Sequence, residues 1–274
     1  MDLRRFLSFF VIICLSSSLI IVSGCASQEE IQEEEEVGRI LSFKKEISRA
    51  ETEEKNGELL LSRKYYRQAL DSVTEADEAA IRKKIEALNL SILFSGIIEK
   101  GSLLYQVEPG DSLDKIAKKF NTTIDLLKKA NGLSSDMIKA GDTLKVSQAV
   151  FSVVVDKSQN LLFLKKDEEL FKTFVVSTGK DNTTPVGTFK IVTKLKDPTW
   201  FRKDVGAALP PESPDNILGS RWMGFDLAGY GIHGTTEPEN LGSYETKGCV
   251  RMRNEEVEEL FAILPRGAEV TIVD

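Results

Sequence analysis

The sequence predicts a multi-domain α+β protein, with a helical segment over 37–100, a compact βααβ module over 103–147, and a mainly-β sandwich or open barrel over 150–274. Three observations carry that expectation. Apolar residues recur at helical spacing as far as Ile92, and turn residues then punctuate a short mixed segment over 105–146. Beyond it the apolar pattern alternates with a period of two. A length of 274 residues leaves room for two or three compact units. The formal net charge of −7 argues against nucleic acid as a partner.

The chain opens with a basic pair, Arg4-Arg5, and an apolar run over 6–22 that closes on Val22-Ser23-Gly24-Cys25. The run is short for a bilayer span, and small residues before a cut site suit a signal peptidase. Residues 1–24 therefore read as an export signal. A cysteine at the first mature position resembles a bacterial lipobox, which implies lipidation of Cys25 and a membrane tether. A retained N-terminal anchor is the alternative. Either way the remainder lies in the cell envelope. In a Gram-negative cell, Ala26 after the lipidated position implies the periplasmic face of the outer membrane. The acidic stretch that follows, to Glu36, reads as a solvated, disordered tether.

Val37, Ile40, Leu41 and Ile47 then fall at helix spacing, followed less regularly by Leu59, Leu60, Tyr66, Ala69 and Leu70. Thr74-Glu75-Ala76-Asp77 has the form of a capping box. Ile81, Ile85, Leu88 and Ile92 make one apolar stripe after it. The stretch Tyr65-Tyr66-Arg67-Gln68-Ala69-Leu70 resembles half of a tetratricopeptide-like helical pair, which cannot bury its faces alone. A helical stalk or packing hairpin is the plainer reading.

The next module starts with a strand ending in Pro109-Gly110, where Asp111 or Ser112 is placed to cap a helix containing Ile116, Ala117 and Phe120. Asn121 ends that helix. Ile124, Leu126 and Leu127 fill a second helix closing at Ala130-Asn131-Gly132, and 138–146 supplies a second strand. This layout closely resembles the LysM domain, which implies binding to the N-acetylglucosamine-containing glycan strands of peptidoglycan. Ser147 stands where that family usually has proline.

In the last part, 152–156 and 161–164 flank a polar turn, and 187–192 alternates well. One convincing helix is expected over 254–264, capped by Asn254, with Val257, Leu260 and Phe261 inward. A closing strand is expected over 268–273.

Cysteine usage narrows the chemistry. The cysteines are Cys14, Cys25 and Cys249, and the only histidine is His233. After export and lipidation Cys249 is the single free thiol, a residue that is either buried and inert or kept because it reacts. A cysteine nucleophile needs a base, oxyanion donors and access. Tyr230-Gly231-Ile232-His233-Gly234-Thr235 puts an imidazole at the end of a short strand, and the Gly234 carbonyl is placed to orient the ring. Thr246-Lys247-Gly248-Cys249-Val250-Arg251-Met252 puts the thiol beside a glycine, so the Gly248 and Cys249 N–H groups are candidate donors. One histidine and no cysteine pair offer no zinc constellation, and no metal or cofactor is implied.

These motifs, together with Ser177-Thr178-Gly179, Thr184-Pro185-Val186-Gly187-Thr188-Phe189 and Gly219-Ser220-Arg221-Trp222-Met223, resemble the YkuD-type L,D-transpeptidases. The resemblance implies that Cys249 is acylated by a peptidoglycan tetrapeptide stem and His233 serves as base. D-alanine is then released, and the acyl group passes to an amine in a 3–3 cross-link. Water as acceptor would make the enzyme an L,D-carboxypeptidase, and a protein lysine an anchoring enzyme. A non-catalytic wall-binding lipoprotein is the reading from another class. Many family members carry a second histidine where Lys247 stands. Arg251 reads as a clamp for a stem carboxylate, or else a structural ion pair. Trp222 and Tyr230 read as cleft wall or core.

Overall fold

The computed structural model describes residues 28–73, 75–202 and 206–274. The expected signal segment, Cys25 and the Thr74 cap lie outside the described residues. Among those described, no helix is long and apolar enough to cross a membrane.

Three helices come first: α1 (Gln28–Lys55), α2 (Leu59–Leu70) and α3 (Glu75–Leu93). The acidic stretch expected to be a disordered tether is helical from Gln28 onward. Glutamate and glutamine are good helix formers, and acidic side chains near a helix N-terminus complement its dipole. Val37 and Leu41 nevertheless stay more than half exposed, so helical spacing there does not mark a core face. Burial starts further along, where Ala50 meets Tyr66, Ile81, Ile85 and Leu88. The helical segment thus supplies the third face that a single pair lacks.

It is not a free stalk. α3 lies along strand β5 (Glu169–Val175), the edge of the main sheet. There Asn89 donates to the Phe171 carbonyl at 2.9 Å, and Glu86 accepts from the Thr173 N–H at 3.0 Å. Side chains thereby occupy backbone groups that an open edge would offer to another strand. Beside them Glu99 is held between Arg63 and Lys166 at 2.8 and 2.6 Å.

The second module comprises β1 (Ser102–Gln106), α4 (Leu113–Lys119), α5 (Ile124–Ala130) and β2 (Thr143–Ser147), with β1 and β2 antiparallel. Of the two candidate caps, Ser112 accepts from the Lys115 N–H at 3.2 Å. Asp111 instead accepts from the Tyr105 hydroxyl at 2.7 Å and the Glu108 N–H at 2.9 Å. The second strand starts at Thr143, later than its hydrophobic pattern suggested. Gly141, at φ +93°, makes a turn in which Asp142 accepts from the Lys139 N–H. Val107, Leu113, Ile116, Leu127 and Val146 form a core of the module's own.

Its remaining face is docked. Leu126 joins the core of the C-terminal part, Thr123 donates its hydroxyl to the Ala262 carbonyl, and Asp125 pairs with Lys196 at 2.7 Å. The Lys145 ammonium reaches the Ile92 and Ser95 carbonyls at 2.6 and 2.7 Å, closing the C-terminus of α3. Burial pushes that ammonium down to about 8.

The C-terminal part begins after three intervening residues with β3 (Phe151–Asp156) and continues through β4 (Leu161–Lys166), β5 and β6 (Thr178–Gly179). It goes on through β7 (Gly187–Lys196), β8 (Trp200–Arg202), β9 (Ala207–Leu209), β10 (Arg221–Phe225) and β11 (Gly231–His233). β12 (Tyr244–Thr246), β13 (Val250–Arg251), α6 (Asn254–Ile263) and β14 (Glu269–Val273) complete it. Eight strands form one sheet in the order β13-β11-β10-β7-β14-β3-β4-β5. Pairings are antiparallel except β14 with β3 and β11 with β13. Ser177, just past β5, exchanges backbone hydrogen bonds of 2.8 and 2.9 Å with Arg251 on β13, so the two ends of the sheet meet. The C-terminal part is therefore built on one sheet that curls until its ends meet. α6 buries Val257, Leu260 and Phe261 against it, the inner face its spacing implied.

Candidate active site

Strand register builds one wall of the site. Across β7, β10, β11 and β13, Leu195, Trp222, His233 and Arg251 are successive cross-strand partners. Partners of this kind project from the same face of a sheet, and all four line a cavity of about 630 Å³. Cys249 lies two residues before Arg251 and joins them, while the intervening Val250 points into the core. Trp200 and Phe201 of β8 form an apolar wall, and Phe201 is 73% exposed. Glu245, Thr246 and Lys247 line the polar side.

His233 is buried beneath Trp222, the two rings stacked with centroids 5.9 Å apart. Its Nδ1 lies 2.7 Å from the Gly234 carbonyl oxygen. A carbonyl only accepts, so Nδ1 carries the proton and Nε2 keeps its lone pair. Burial pushes the imidazole down to about 4; the Gly234 carbonyl opposes that shift, and the charge of Arg251 adds to it. The ring is neutral at neutral pH.

Cys249 is half-buried, and its Sγ lies 3.6 Å from the Gly229 carbonyl oxygen, which accepts from the thiol. Burial pushes the thiol up to about 11, against a hydrogen bond from the Gly231 backbone that favours the thiolate. Burial thus favours the neutral form of both groups.

The loop before the cysteine is held by Thr246. Its hydroxyl donates to the Cys249 carbonyl at 2.6 Å and accepts from the Gly248 N–H at 3.1 Å. This corrects one expectation: the Gly248 N–H is engaged within its own loop and does not serve as an oxyanion donor in this conformation. The glycine is needed for another reason. Its φ is +120°, and a Cβ there would come within 2.6 Å of the Tyr230 ring and 2.9 Å of the Thr183 carbonyl. Tyr230 accordingly packs behind the loop against the core and does not line the cavity.

Arg251 differs from the clamp reading too. Its guanidinium pairs with Glu245 at 2.9 Å and Glu237 at 3.5 Å, so carboxylates of the chain itself hold it. Lys247 is exposed at the cavity edge. Asn254 was expected to cap α6, yet Arg253 holds the cap position and no side chain caps the helix. The Asn254 amide turns instead to the loops around His233. Sequence reasoning missed Thr246, Glu237, Glu245 and this role of Asn254. A threonine two residues before a glycine, as in a hydroxyl-closed turn, was the available signal for Thr246.

A thiol and an imidazole with a fixed tautomer, lining one cavity, can run acyl transfer through a thioester. The comparisons give that class a family. Residues 151–272 match the L,D-transpeptidase catalytic domain, and residues 105–147 match the LysM domain. A Bacillus subtilis protein, YqjB, is 41% identical over 44% of this chain and 70% of its own length. YkuD of Bacillus licheniformis is 33% identical over 62% of this chain and 98% of its own. Both carry L,D-transpeptidase in their names. The solved catalytic domain of an Enterococcus faecium L,D-transpeptidase shares 25% identity over 45% of this chain and 96% of that one, with a TM-score of 0.38. The chain belongs to the L,D-transpeptidase family and is a peptidoglycan L,D-transpeptidase carrying a LysM domain.

Proposed function

We propose that Cys249 is the acyl-accepting nucleophile and His233 its base, in a reaction that joins two peptidoglycan stems. The observation that carries this reading is the tautomer, which leaves Nε2 of a buried, neutral imidazole as a proton acceptor in the cavity that Cys249 lines. As Sγ bonds to the carbonyl carbon between stem residues three and four, its proton passes to Nε2. The imidazolium then protonates the departing D-alanine nitrogen as the C–N bond breaks, leaving a thioester. An acceptor amine attacks that thioester, gives its proton to His233, and the thiol is regenerated.

Glycan strands are the proposed ligand of the 105–147 module. Its docking on α3 and α6 would hold the wall polymer at a set distance from the cavity. Lipidation of Cys25 would tether the whole to a membrane; Val22-Ser23-Gly24-Cys25 supports this.

Incubating the full chain with tetrapeptide-bearing muropeptides tests the catalytic reading by mass spectrometry. The expected result is released D-alanine, an acyl adduct on Cys249, and cross-linked dimers, all absent from Cys249→Ala. Turnover surviving in that variant would sink the assignment, and tripeptides without dimers would make water the acceptor.

A further inference from the structure

We infer that Asn254 is the positioning residue of this site, setting the tautomer of His233 through the single peptide group that joins Gly234 to Thr235. That group is gripped at both ends. Its carbonyl oxygen accepts from His233 Nδ1 at 2.7 Å, and its N–H donates to Asn254 Oδ1 at 3.2 Å. The same Oδ1 accepts from the Ser220 N–H at 3.0 Å, and Asn254 Nδ2 donates to the Thr235 carbonyl at 2.8 Å.

A peptide group is planar, so fixing its N–H fixes the direction of its C=O. Holding Thr235 on both its N–H and its C=O leaves the Gly234 carbonyl one orientation, towards the imidazole. The chained bonds also polarise one another, which strengthens the acceptor that His233 meets. Close packing supports the same assignment. A Cβ at Gly234 or Gly219 would fall 2.1 or 2.2 Å from Asn254 Oδ1, so both loops come as near to this amide as backbone can. Nor does the amide serve its own helix, which has no side-chain cap. Asn254 thus supplies, one peptide removed, the orientation that a carboxylate or carbonyl supplies to other catalytic imidazoles.

The inference rests on the reading of His233 as base, but its test does not need substrate. His233 is the only histidine, so 15N-histidine labelling of the full chain gives one ring whose tautomer is read from long-range proton–nitrogen correlations. Wild type is expected as the Nδ1–H form. Asn254→Ala is expected to shift the ring towards Nε2–H and lower kcat by about 10- to 100-fold with KM unchanged. A folded Asn254→Ala protein that keeps the pure Nδ1–H form would overturn the proposal, leaving Asn254 a structural residue. If that variant does not fold, Asn254→Ser decides. Its shorter side chain gives up the bonds to Ser220 and Thr235, so a shift towards Nε2–H is expected, and a pure Nδ1–H form overturns the proposal. Failure of the base reading shows elsewhere, as turnover indifferent to His233→Gln.

Discussion

His233 and Cys249 line one cavity but are held in opposite ways. The imidazole sits inside a sheet, stacked on Trp222, its Nδ1 bonded to a carbonyl that is itself fixed from behind. The thiol sits at the entry to a two-residue strand, half-buried, with a long bond to the Gly229 carbonyl. Burial moves both groups towards their neutral forms, the first down to about 4 and the second up to about 11. The proposed base is therefore preorganised, while burial favours a latent, neutral thiol at the proposed nucleophile. A latent thiol resists oxidation and alkylation, because both run through the thiolate.

The largest expected effect removes the ordered half. His233→Gln should lower kcat/KM by about 10²- to 10⁴-fold, measured as D-alanine release. Alkylation of Cys249 by iodoacetamide in that variant should still rise with pH, since the thiolate then forms only by direct ionisation. A thiol as reactive at pH 7 as at pH 10 would refute the latency.

Acid should sharpen the contrast next. The folded imidazole binds its proton only near pH 4, whereas the unfolded chain binds one near 6.5. Between those values the unfolded state holds more protons, so stability falls as pH drops, by about 3 kcal/mol from this group. Urea melts at pH 7 and pH 4.5 should show most of that loss in wild type and less in His233→Gln.

On the cysteine side, Gly248→Ala places a Cβ against Tyr230 and Thr183 at a φ of +120°. A loss of about 2 kcal/mol is expected from chemical denaturation. Adding Tyr230→Ala should recover the part due to the ring and leave the backbone strain. The smallest effect belongs to Lys247→Ala. Its exposed ammonium is screened by solvent, so the Cys249 alkylation rate should change by less than about threefold at physiological salt.

The same contrast explains which parts were legible in sequence. The 105–147 module could be read almost throughout because its signals are local: Ser112 and Thr123 cap helices that begin beside them. Its first strand stops at Gln106, short of Pro109-Gly110, and its second starts late, displaced by the Gly141 turn. In the C-terminal part the longer strands were visible, but the short β8, β9, β10, β12 and β13 were not, nor was the strand order, because alternation marks a buried face without naming the neighbour. Arg251 is the clearest case at the site. Its position suggested a clamp, and only folding brought Glu237 and Glu245 to it. Asn254 shows the same limit in reverse, since an asparagine before an apolar helix face reads as a cap whatever else it touches.

The sequence by itself determined the chemistry available: one histidine, a cysteine at 249, glycines beside both, and a βααβ module ahead of them. Composition and short-range pattern suffice for that, because they decide which groups exist and what local backbone each can adopt. The tertiary structure decided what those groups are. Register placed Trp222, His233 and Arg251 in one row, burial set both resting protonation states, and Asn254 reached across from α6 to fix a peptide plane. Desolvation and hydrogen-bond direction depend on neighbours distant in the chain, and only the folded sheet assembles them.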